Sequence, residues 1–450
     1  MRLKFASLLA VSSSILAVQN AAAADLSTKP VYKAPAAIVA YHWTGPYVGA
    51  FVGVTATRSR GIDPDGVPLG SLESTGIGFT GGGTVGYNWE LGATPFGGRW
   101  LVGLEGDFGY FGNSHSVHDF DDTLIYNTRT KWLGTARGRV GIASGPNLSY
   151  FTGGYAAMRL TDSSELVATG PALASTQTKS GWTIGSGVET MLGGGWTAKS
   201  ETLYIHMGGG DALLQPSDVR DTVVNERRYY TQRFGVNYLF GGGANRALPQ
   251  TNWSGFYAGV VGGGVVSSVR ATGRGLPVSG FGNEIGNNGT GWTAGGQLGW
   301  NWMIAPKVVI GFEGDISWMG VDHTSFDYFN VPPFGLPAIL GVDTSWFATA
   351  RGRLAYNTGP ALLYVTGGAA WVHVEDFFQG AGAAATSSKT LSGYAVGGGI
   401  ETALWGNWSS KNEYLYVDVG EGDRLTSGVF AITADHRFHM FRSALVYRFN

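Results

Sequence analysis

Hydrophobic and polar residues alternate along residues 101–110, and this pattern predicts a β-strand with two unlike faces. One face is apolar and includes Leu104 and Phe108, whereas the other holds glycines together with Glu105 and Asp107. A soluble β-sandwich turns its apolar face inward and its carboxylates to water. A membrane β-barrel does the reverse, with apolar side chains toward lipid and charges toward the lumen. A small, acidic second face therefore favours the barrel.

The same design occurs twice in the chain. The Gly-x-Glu-Gly-Asp motif of this strand returns around Glu313, and Thr-Ala-Arg-Gly-Arg is found at both 135–139 and 349–353. An opening Trp-Thr/Ser-Gly-x-Tyr-x-Gly motif begins each copy, at Trp43 and at Trp253. The period of about 210 residues is far longer than the repeat of a solenoid or propeller, so each copy is a whole domain or half of a barrel. The predicted organisation is a signal peptide (1–24), a Pro/Ala-rich periplasmic tether (25–41), a first β-barrel repeat (42–240), a linker (241–252) and a second repeat (253–450).

Each copy contains eight predicted strands of roughly ten residues, the length that a tilted strand needs to cross a bilayer. Long polar connections alternate with short turns in the first copy. The long ones are 57–76, 112–130, 161–179 and 208–227, and the short ones are 91–98, 143–147 and 192–195. This alternation is typical of outer-membrane barrels, whose long loops lie outside the cell and whose tight turns lie in the periplasm. Both ends of each copy, and the linker, are then expected on the periplasmic side.

Charged residues fall on one face of the predicted strands throughout both copies. Each copy contributes four acidic and four basic residues to this face. They are Glu105, Asp107, Arg137, Arg139, Glu189, Lys199, Glu201 and Arg233 in the first copy, and Glu313, Asp315, Arg351, Arg353, Glu401, Lys411, Glu413 and Arg442 in the second. A basic side chain facing lipid at the bilayer midplane costs about 2–4 kcal/mol, and a lone charge in a narrow interior is also costly. We therefore predict a barrel-interior network of ion pairs, with a polar solute pathway as the alternative reading.

Aromatic residues cluster near the predicted strand ends, where amphipathic rings favour the boundary between lipid and water. This predicts two aromatic girdles. In the first copy they comprise Trp43, Tyr47, Trp89, Trp100, Trp132, Trp182, Trp196, Tyr238 and Phe240.

Composition excludes several classes of protein and site. The chain has no cysteine, which rules out disulfides and thiolate sites. Its net charge of −2 is not the excess of positive charge that is typical of nucleic-acid-binding proteins. No Ser/His/carboxylate set occurs in both copies, so no catalytic residue is predicted and the protein is not expected to be an enzyme. Histidines at 115 and 118, and at 436 and 439, are scattered polar residues that we expect to be solvated. No metal, cofactor or nucleic acid is therefore expected.

The export signal and the motifs together resemble one family. The signal ends in Ala-Ala-Asp-Leu, and a tether rich in Pro, Ala and Lys follows it. These features, the opening motif, the Gly-x-Glu-Gly-Asp strand and the Ala-Arg-Gly-Arg strand resemble the small outer-membrane β-barrel proteins of α-proteobacteria. Proteins of this kind are often labelled porin-family or surface-antigen proteins, and some bind haemin. Family members usually carry one such unit and end on an aromatic residue, whereas this chain carries two units and Asn450 follows Phe449.

The predicted fold class is all-β, a transmembrane antiparallel β-barrel in the cell outer membrane. Two tandem eight-stranded barrels are preferred because the inward charges balance within each copy, and one sixteen-stranded barrel is the alternative. The first function hypothesis is a structural and surface-exposed role in the Gram-negative envelope. A porin-like channel for small hydrophilic solutes and a loop-based receptor, for example for haemin, are the alternatives. The expected partners are outer-membrane lipid and lipopolysaccharide, the barrel-assembly machinery and, in some readings, a second copy of the chain.

Overall fold

The computed structural model consists of strands joined by turns and loops. It describes residues 41–62, 72–95, 97–118, 124–166, 173–208, 224–243, 247–274, 284–331, 334–380, 383–422, 425–427 and 430–449. The predicted signal peptide, and the predicted tether up to residue 40, lie outside the described residues. Among the residues described, no helix is long and apolar enough to cross a membrane, a test that does not apply to barrels built of strands.

The strands fall into two consecutive groups. The first group is β1 (Gly45–Ile62), β2 (Leu72–Ala93), β3 (Arg99–Gly112), β4 (Ser114–His118), β5 (Leu124–Ser144), β6 (Asn147–Leu166), β7 (Leu173–Gly193), β8 (Trp196–Met207) and β9 (Val224–Leu239). The second group is β10 (Gly255–Arg274), β11 (Glu284–Ala305), β12 (Val308–Val331), β13 (Phe334–Asn357), β14 (Ala361–Gly380), β15 (Ala383–Ala403), β16 (Trp408–Glu421), β17 (Leu425–Ser427) and β18 (Phe430–Arg448).

Each group closes on itself as an antiparallel barrel. In the first group β1 pairs with both β2 and β9, and β3 pairs with β5, so that eight strands form a closed ring. The short strand β4 follows β3 in the chain and also pairs with β5. In the second group β10 pairs with β11 and β18, and β16 pairs with β18, while β17 is a short addition. The register of the closing pair is continuous from Tyr257↔Arg448 to Arg274↔Ala431. The architecture is therefore two tandem eight-stranded barrels rather than one barrel of sixteen strands.

Side chains alternate between the lumen and the outside, as the sequence pattern predicts. In β3 the outward side chains of Leu104 and Phe108 are each 60% exposed, whereas Glu105 between them is 3% exposed. Some inward positions leave room only for glycine: Gly82 and Gly109 are paired on the neighbouring strands β2 and β3, and a Cβ on Gly82 would lie only 2.6 Å from the Cα of Gly109. An apolar outside and a crowded, polar inside follow from this alternation.

The strands are longer than the roughly ten residues expected from the sequence. β8 has 12 residues and β12 has 24, and the strand ends run into segments that were predicted to be loops. The β1–β2 pair, for example, continues to Gly61↔Leu72. Antiparallel pairing satisfies the backbone groups beyond the bilayer as well as within it, so the hairpin arms continue outward after the membrane-spanning length is complete.

Candidate functional site: the charged interior of each barrel

An ion pair crosses the centre of the first barrel. Glu105 lies on β3 and Lys199 lies on β8, which are four strands apart in either direction around the eight-stranded ring. The Lys199 Nζ is nevertheless 2.9 Å from the Glu105 Oε2. These two side chains therefore meet across the full width of the lumen.

Arg137 on β5 is the centre of the first network. Its guanidinium donates to a Glu105 oxygen, to Asp107 Oδ2 at 2.7 Å, and lies 3.1 Å from Glu201 Oε1. Arg233 on β9 makes a second link between two of these carboxylates, at 2.6 Å from both Asp107 Oδ1 and Glu201 Oε2. Shared carboxylates of this kind join the walls of the barrel into one hydrogen-bonded layer.

Arg139 extends the charged layer toward one end of the barrel. This end holds the short turns between β2 and β3, β5 and β6, and β7 and β8, and is called the turn end below. The Arg139 Nη1 is 3.2 Å from Glu189 Oε2, and its Nε and Nη2 donate to the Asn88 side-chain oxygen at 2.9 and 2.6 Å. The Glu189 Oε1 also accepts from Thr197 at 2.5 Å and from Asn237 at 2.8 Å. Each of these charged groups thus has several polar partners, which is what a buried charge requires.

The second barrel repeats the arrangement. Lys411 on β16 reaches both oxygens of Glu313 on β12 at 2.7 Å, again across the ring. Arg351 contacts Glu313 at 2.6 Å and Asp315 at 2.8 Å, as its counterpart does in the first barrel. Further ion pairs of this layer are Arg351–Glu413 at 3.2 Å, Arg353–Glu401 at 2.9 Å, Arg442–Asp315 at 2.9 Å, Arg442–Glu413 at 2.6 Å and Lys411–Glu413 at 3.4 Å.

All sixteen charged residues singled out in the sequence lie inside the barrels. The most exposed of them, Asp107, has 7% of its surface accessible. Every one of them has an oppositely charged partner, and none makes an ion pair with a residue of the other barrel among the pairs described. Four negative and four positive charges per barrel therefore cancel locally, which limits the cost of removing them from water.

Apolar residues lie above and below the charged layer of the first barrel, which sequence alternation alone did not reveal. Toward the turn end, Trp43 and Leu101 are buried in one cluster with Leu148, Met191 and Leu239. Toward the opposite end of the barrel, called the loop end because the long connections leave from it, there is a second buried cluster. It contains Phe111, Leu133, Ala156, Met158, Leu203, Ile205, Met207 and Tyr229. The second barrel has equivalent clusters around Trp253 and around Phe347. The ion pairs of each barrel thus lie between two apolar clusters.

Buried tyrosines complete the charged layer and were missed as site residues. Tyr47 donates to Glu105 at 2.8 Å and Tyr150 donates to Glu201 at 2.9 Å. Their counterparts Tyr257 and Tyr364 donate to Glu313 and Glu413 at 2.8 and 2.9 Å. Strand parity could have found them, because Tyr47 shares its face with the inward Gly49.

The predicted aromatic girdle is wrong for two of its residues. Trp43 is 1% exposed and donates its indole N–H to Gly145 O at 3.0 Å, and Tyr47 is 2% exposed. Trp43 lies inside the barrel before the start of β1, whereas Tyr47 belongs to β1 and points inward by strand alternation. Other members do present rings outward, with Trp182 and Trp196 about half exposed.

Three of the four histidines singled out in the sequence, at 115, 436 and 439, are buried in strands and are not solvated loop residues, contrary to expectation, whereas the side chain of His118 lies outside what the structure describes. His115 and His436 are buried inward, and His436 Nε2 is 3.3 Å from Asp376 Oδ2. His439 lies on the outer wall and shares a 2.7 Å hydrogen bond with the Tyr414 hydroxyl. Within the ranges that the structure describes, no group of three or more acidic or histidine side chains could hold a metal ion.

A smaller ion pair lies further toward the loop end of the first barrel. Arg227 Nη2 contacts both oxygens of Asp162 at 2.7 Å, and Thr128 also donates to Asp162 at 2.7 Å. Asp162 was placed in a predicted loop, so its inward position became visible only once β6 was seen to extend to Leu166.

Comparison with known proteins agrees with this architecture. The model of a family described as the outer membrane protein beta-barrel domain matches residues 8–240 and again residues 234–449. The chain belongs to this family. Its duplicated matches correspond to the two barrels, and the protein is an outer-membrane β-barrel protein.

Several known proteins are similar to about half of this chain. The 31 kDa outer-membrane immunogenic protein of Brucella melitensis is 31% identical over 244 residues, which are 52% of this chain and 98% of that protein. The 22 kDa outer membrane protein of Rhizobium leguminosarum is 31% identical over 186 residues, 41% of this chain and 72% of that protein. The 25 kDa outer-membrane immunogenic protein of Brucella abortus is 24% identical, with 52% and 98% covered. This chain therefore contains the family unit twice.

Proposed function

We propose that the protein is a sealed, structural outer-membrane protein that displays its long connections at the cell surface and does not conduct solutes. The observation that carries this proposal is the stacking inside each barrel: a neutral ion-pair layer that crosses the lumen, enclosed between two apolar clusters. An eight-stranded barrel is just wide enough for side chains to fill it, and these side chains do so.

A non-catalytic role fits the same geometry. The carboxylates of the charged layer are all engaged in ion pairs, so they support the barrel walls rather than a substrate. The names of two relatives describe immunogenic outer-membrane proteins, which is in keeping with exposure at the surface.

Planar-bilayer recording of the refolded protein tests the sealed-barrel proposal. We expect silence, or only rare small openings, from protein that shows the electrophoretic mobility shift of a folded barrel in unheated samples. A sixteen-stranded general porin in the same bilayers is the positive control. Stable conductance steps close to those of that porin would refute the proposal and support a solute channel.

Epitope insertion tests the display of the long connections. A tag inserted within 209–223 should be labelled by antibody on intact cells, whereas a tag at the turn residue Gly194 should be labelled only after the outer membrane is permeabilised. The same labelling at both positions in intact cells, or labelling of Gly194 alone, would contradict the proposed orientation.

A further inference from the structure

One strip of the outer wall is polar and buried, unlike the exposed apolar wall around it. Ser200 and Gln232 of the first barrel are 0% exposed and Asn412 of the second is 1% exposed. Each is next in sequence to an inward charge, Lys199, Arg233 or Lys411, and therefore points outward by strand alternation. Polar groups on a lipid-facing wall would lack hydrogen-bond partners, so their position calls for an explanation.

The polar side chains of this strip form hydrogen bonds from one barrel to the other. Asn412 Oδ1 accepts from Ser200 Oγ at 2.8 Å and from Gln232 Nε2 at 2.7 Å. The Asn412 Nδ2 donates to Thr202 Oγ1 at 3.2 Å and to Ser443 Oγ in its own barrel at 3.0 Å. The side-chain amide of Asn412 thus acts as both acceptor and donor. The polar groups of the strip find their hydrogen-bond partners in one another and not in lipid.

Equivalent residues of the two copies meet at this contact. Ser200 and Asn412 occupy the same position in their repeats, directly after Lys199 and Lys411. Val188 and Ile400 are also equivalent, and both lie in one buried apolar cluster with Ala198 and Ala361. Contact between the same positions on two copies is the mark of an isologous, two-fold interface. The barrels are therefore related by a pseudo-two-fold axis that passes near these residues.

The two barrels point the same way along this axis. At the turn end, Asn147 Nδ2 donates to Ala403 O at 2.6 Å and Ser144 Oγ donates to Leu404 O at 2.8 Å. At the loop end, Arg58 Nη1 donates to Thr290 Oγ1 at 3.3 Å. Turn end meets turn end and loop end meets loop end, so both barrels can cross a single membrane side by side.

Shape complementarity accompanies the hydrogen bonds. The Tyr230 ring of the first barrel stacks on Phe441 of the second, with centroids 5.9 Å apart. It also packs against Gly264, where an added Cβ would lie 2.4 Å from the ring. The neighbouring outward glycine, Gly262, has no atom closer than 3.5 Å to such a Cβ and provides a matched control site.

We infer that this polar strip, made of Ser186, Ser200, Thr202 and Gln232 facing Asn412 and Ser443, is an intramembrane docking surface that holds the two barrels together as a fused dimer. Its partner is the sister barrel of the same chain. The association rests on the strip and its apolar neighbours and does not require the covalent linker. In lipid the hydrophobic effect gives little attraction between apolar walls, so hydrogen bonds and close packing provide the specificity.

Engineered cysteines provide the first test, because the natural chain has none. The Ser186 and Ser443 hydroxyl oxygens are 2.9 Å apart across the interface, so a Ser186→Cys/Ser443→Cys protein should form a disulfide. With a protease site inserted at 244–246, the cleaved, oxidised protein should run as one band on a denaturing gel until it is reduced. The pair Phe108→Cys/Phe312→Cys, whose native rings are 60% and 65% exposed, should give two bands. Equal cross-linking of both pairs, or none at Ser186/Ser443, would overturn the inference.

The second test asks whether the strip holds the barrels without a covalent bond. After linker cleavage in lipid nanodiscs and extraction into mild detergent, a tag on one barrel should recover the other in the cysteine-free protein. We expect Gln232→Leu/Asn412→Leu and, separately, Gly264→Leu to reduce this recovery at least tenfold. Gly262→Leu should leave it unchanged. A mobility shift of each barrel in unheated samples verifies that the variants fold.

Separation of the wild-type halves after cleavage, or full recovery with both interface variants, would overturn the inference. Neither result bears on conductance, since conductance depends on the interior of each barrel and docking depends on the outer wall. The cross-linking and recovery tests therefore decide only whether the barrels dock, and the bilayer recording decides only whether they conduct.

Discussion

Removal of Arg137 is the sharpest test of the interior charge layer. The Arg137→Met substitution retains much of the aliphatic volume but leaves Glu105, Asp107 and Glu201 without the cation that all three share. The layer then holds four carboxylates and three cations, all enclosed between apolar clusters. Breaking a buried ion pair from one side costs about 3–5 kcal/mol, so we expect the free energy of unfolding of this barrel to fall by that amount.

A second substitution restores neutrality and separates charge from packing. Glu201→Gln in the Arg137→Met background leaves three charges of each sign, and Arg233 keeps its 2.6 Å contact with Asp107. We expect the double variant to recover at least half of the lost stability, since replacing a whole buried pair is often close to neutral. The Arg351→Met and Arg351→Met/Glu413→Gln variants should behave in the same way in the second barrel.

Urea unfolding in lipid vesicles, followed by tryptophan emission and by the gel mobility of unheated samples, measures these differences. The loss should persist in 1 M salt, because buried pairs are screened far less than exposed ones. A loss below about 1 kcal/mol, or one that salt abolishes, would show that water hydrates the layer. The lumen would then be open, and the sealed-barrel proposal would fail with it.

Two further substitutions test the outer wall and the turn-end cluster. Leu104 is an outward residue that is 60% exposed, and Leu104→Arg should lower the free energy of unfolding by about 2–4 kcal/mol if the position faces the bilayer midplane. The same urea unfolding assay measures this loss. An unchanged free energy of unfolding would place Leu104 outside the hydrocarbon layer. Trp43→Ala should cost about 3–5 kcal/mol, because it removes a buried ring and its 3.0 Å hydrogen bond to Gly145 O. Hydrogen exchange should then speed up first at the turn end of the first barrel, and exchange unchanged there would refute the assigned role of the ring.

Strand alternation was sufficient to place the charged residues, and the reason is geometric. A strand has a side-chain period of two, so a run such as 101–110 sorts its residues between lumen and outside without reference to any other strand. The internal duplication gave the same sorting a second time. Local patterns of this kind need no knowledge of which strands are neighbours.

Residues at and beyond the predicted strand ends were misplaced, because other rules had to be used there. Trp43 was assigned to the lipid boundary because aromatic rings near strand ends usually lie there. Its real position inside the barrel depends on how the chain enters the first strand, which no periodicity describes. Asp162 and His115 were read as loop residues because hairpin arms beyond the bilayer have no hydrophobic signal to mark their length.

The sequence by itself determined the strand content, the duplication, the inward face and the balance of charge on it, because each of these depends on residue type and local spacing. Tertiary structure alone decided that β1 meets β9 and β10 meets β18, which makes two barrels instead of one. It also decided which charges pair across the lumen, such as Glu105 with Lys199, and that Ser200 meets Asn412 between the barrels. These contacts join residues far apart in the chain, and their partners follow only from ring closure and packing in three dimensions.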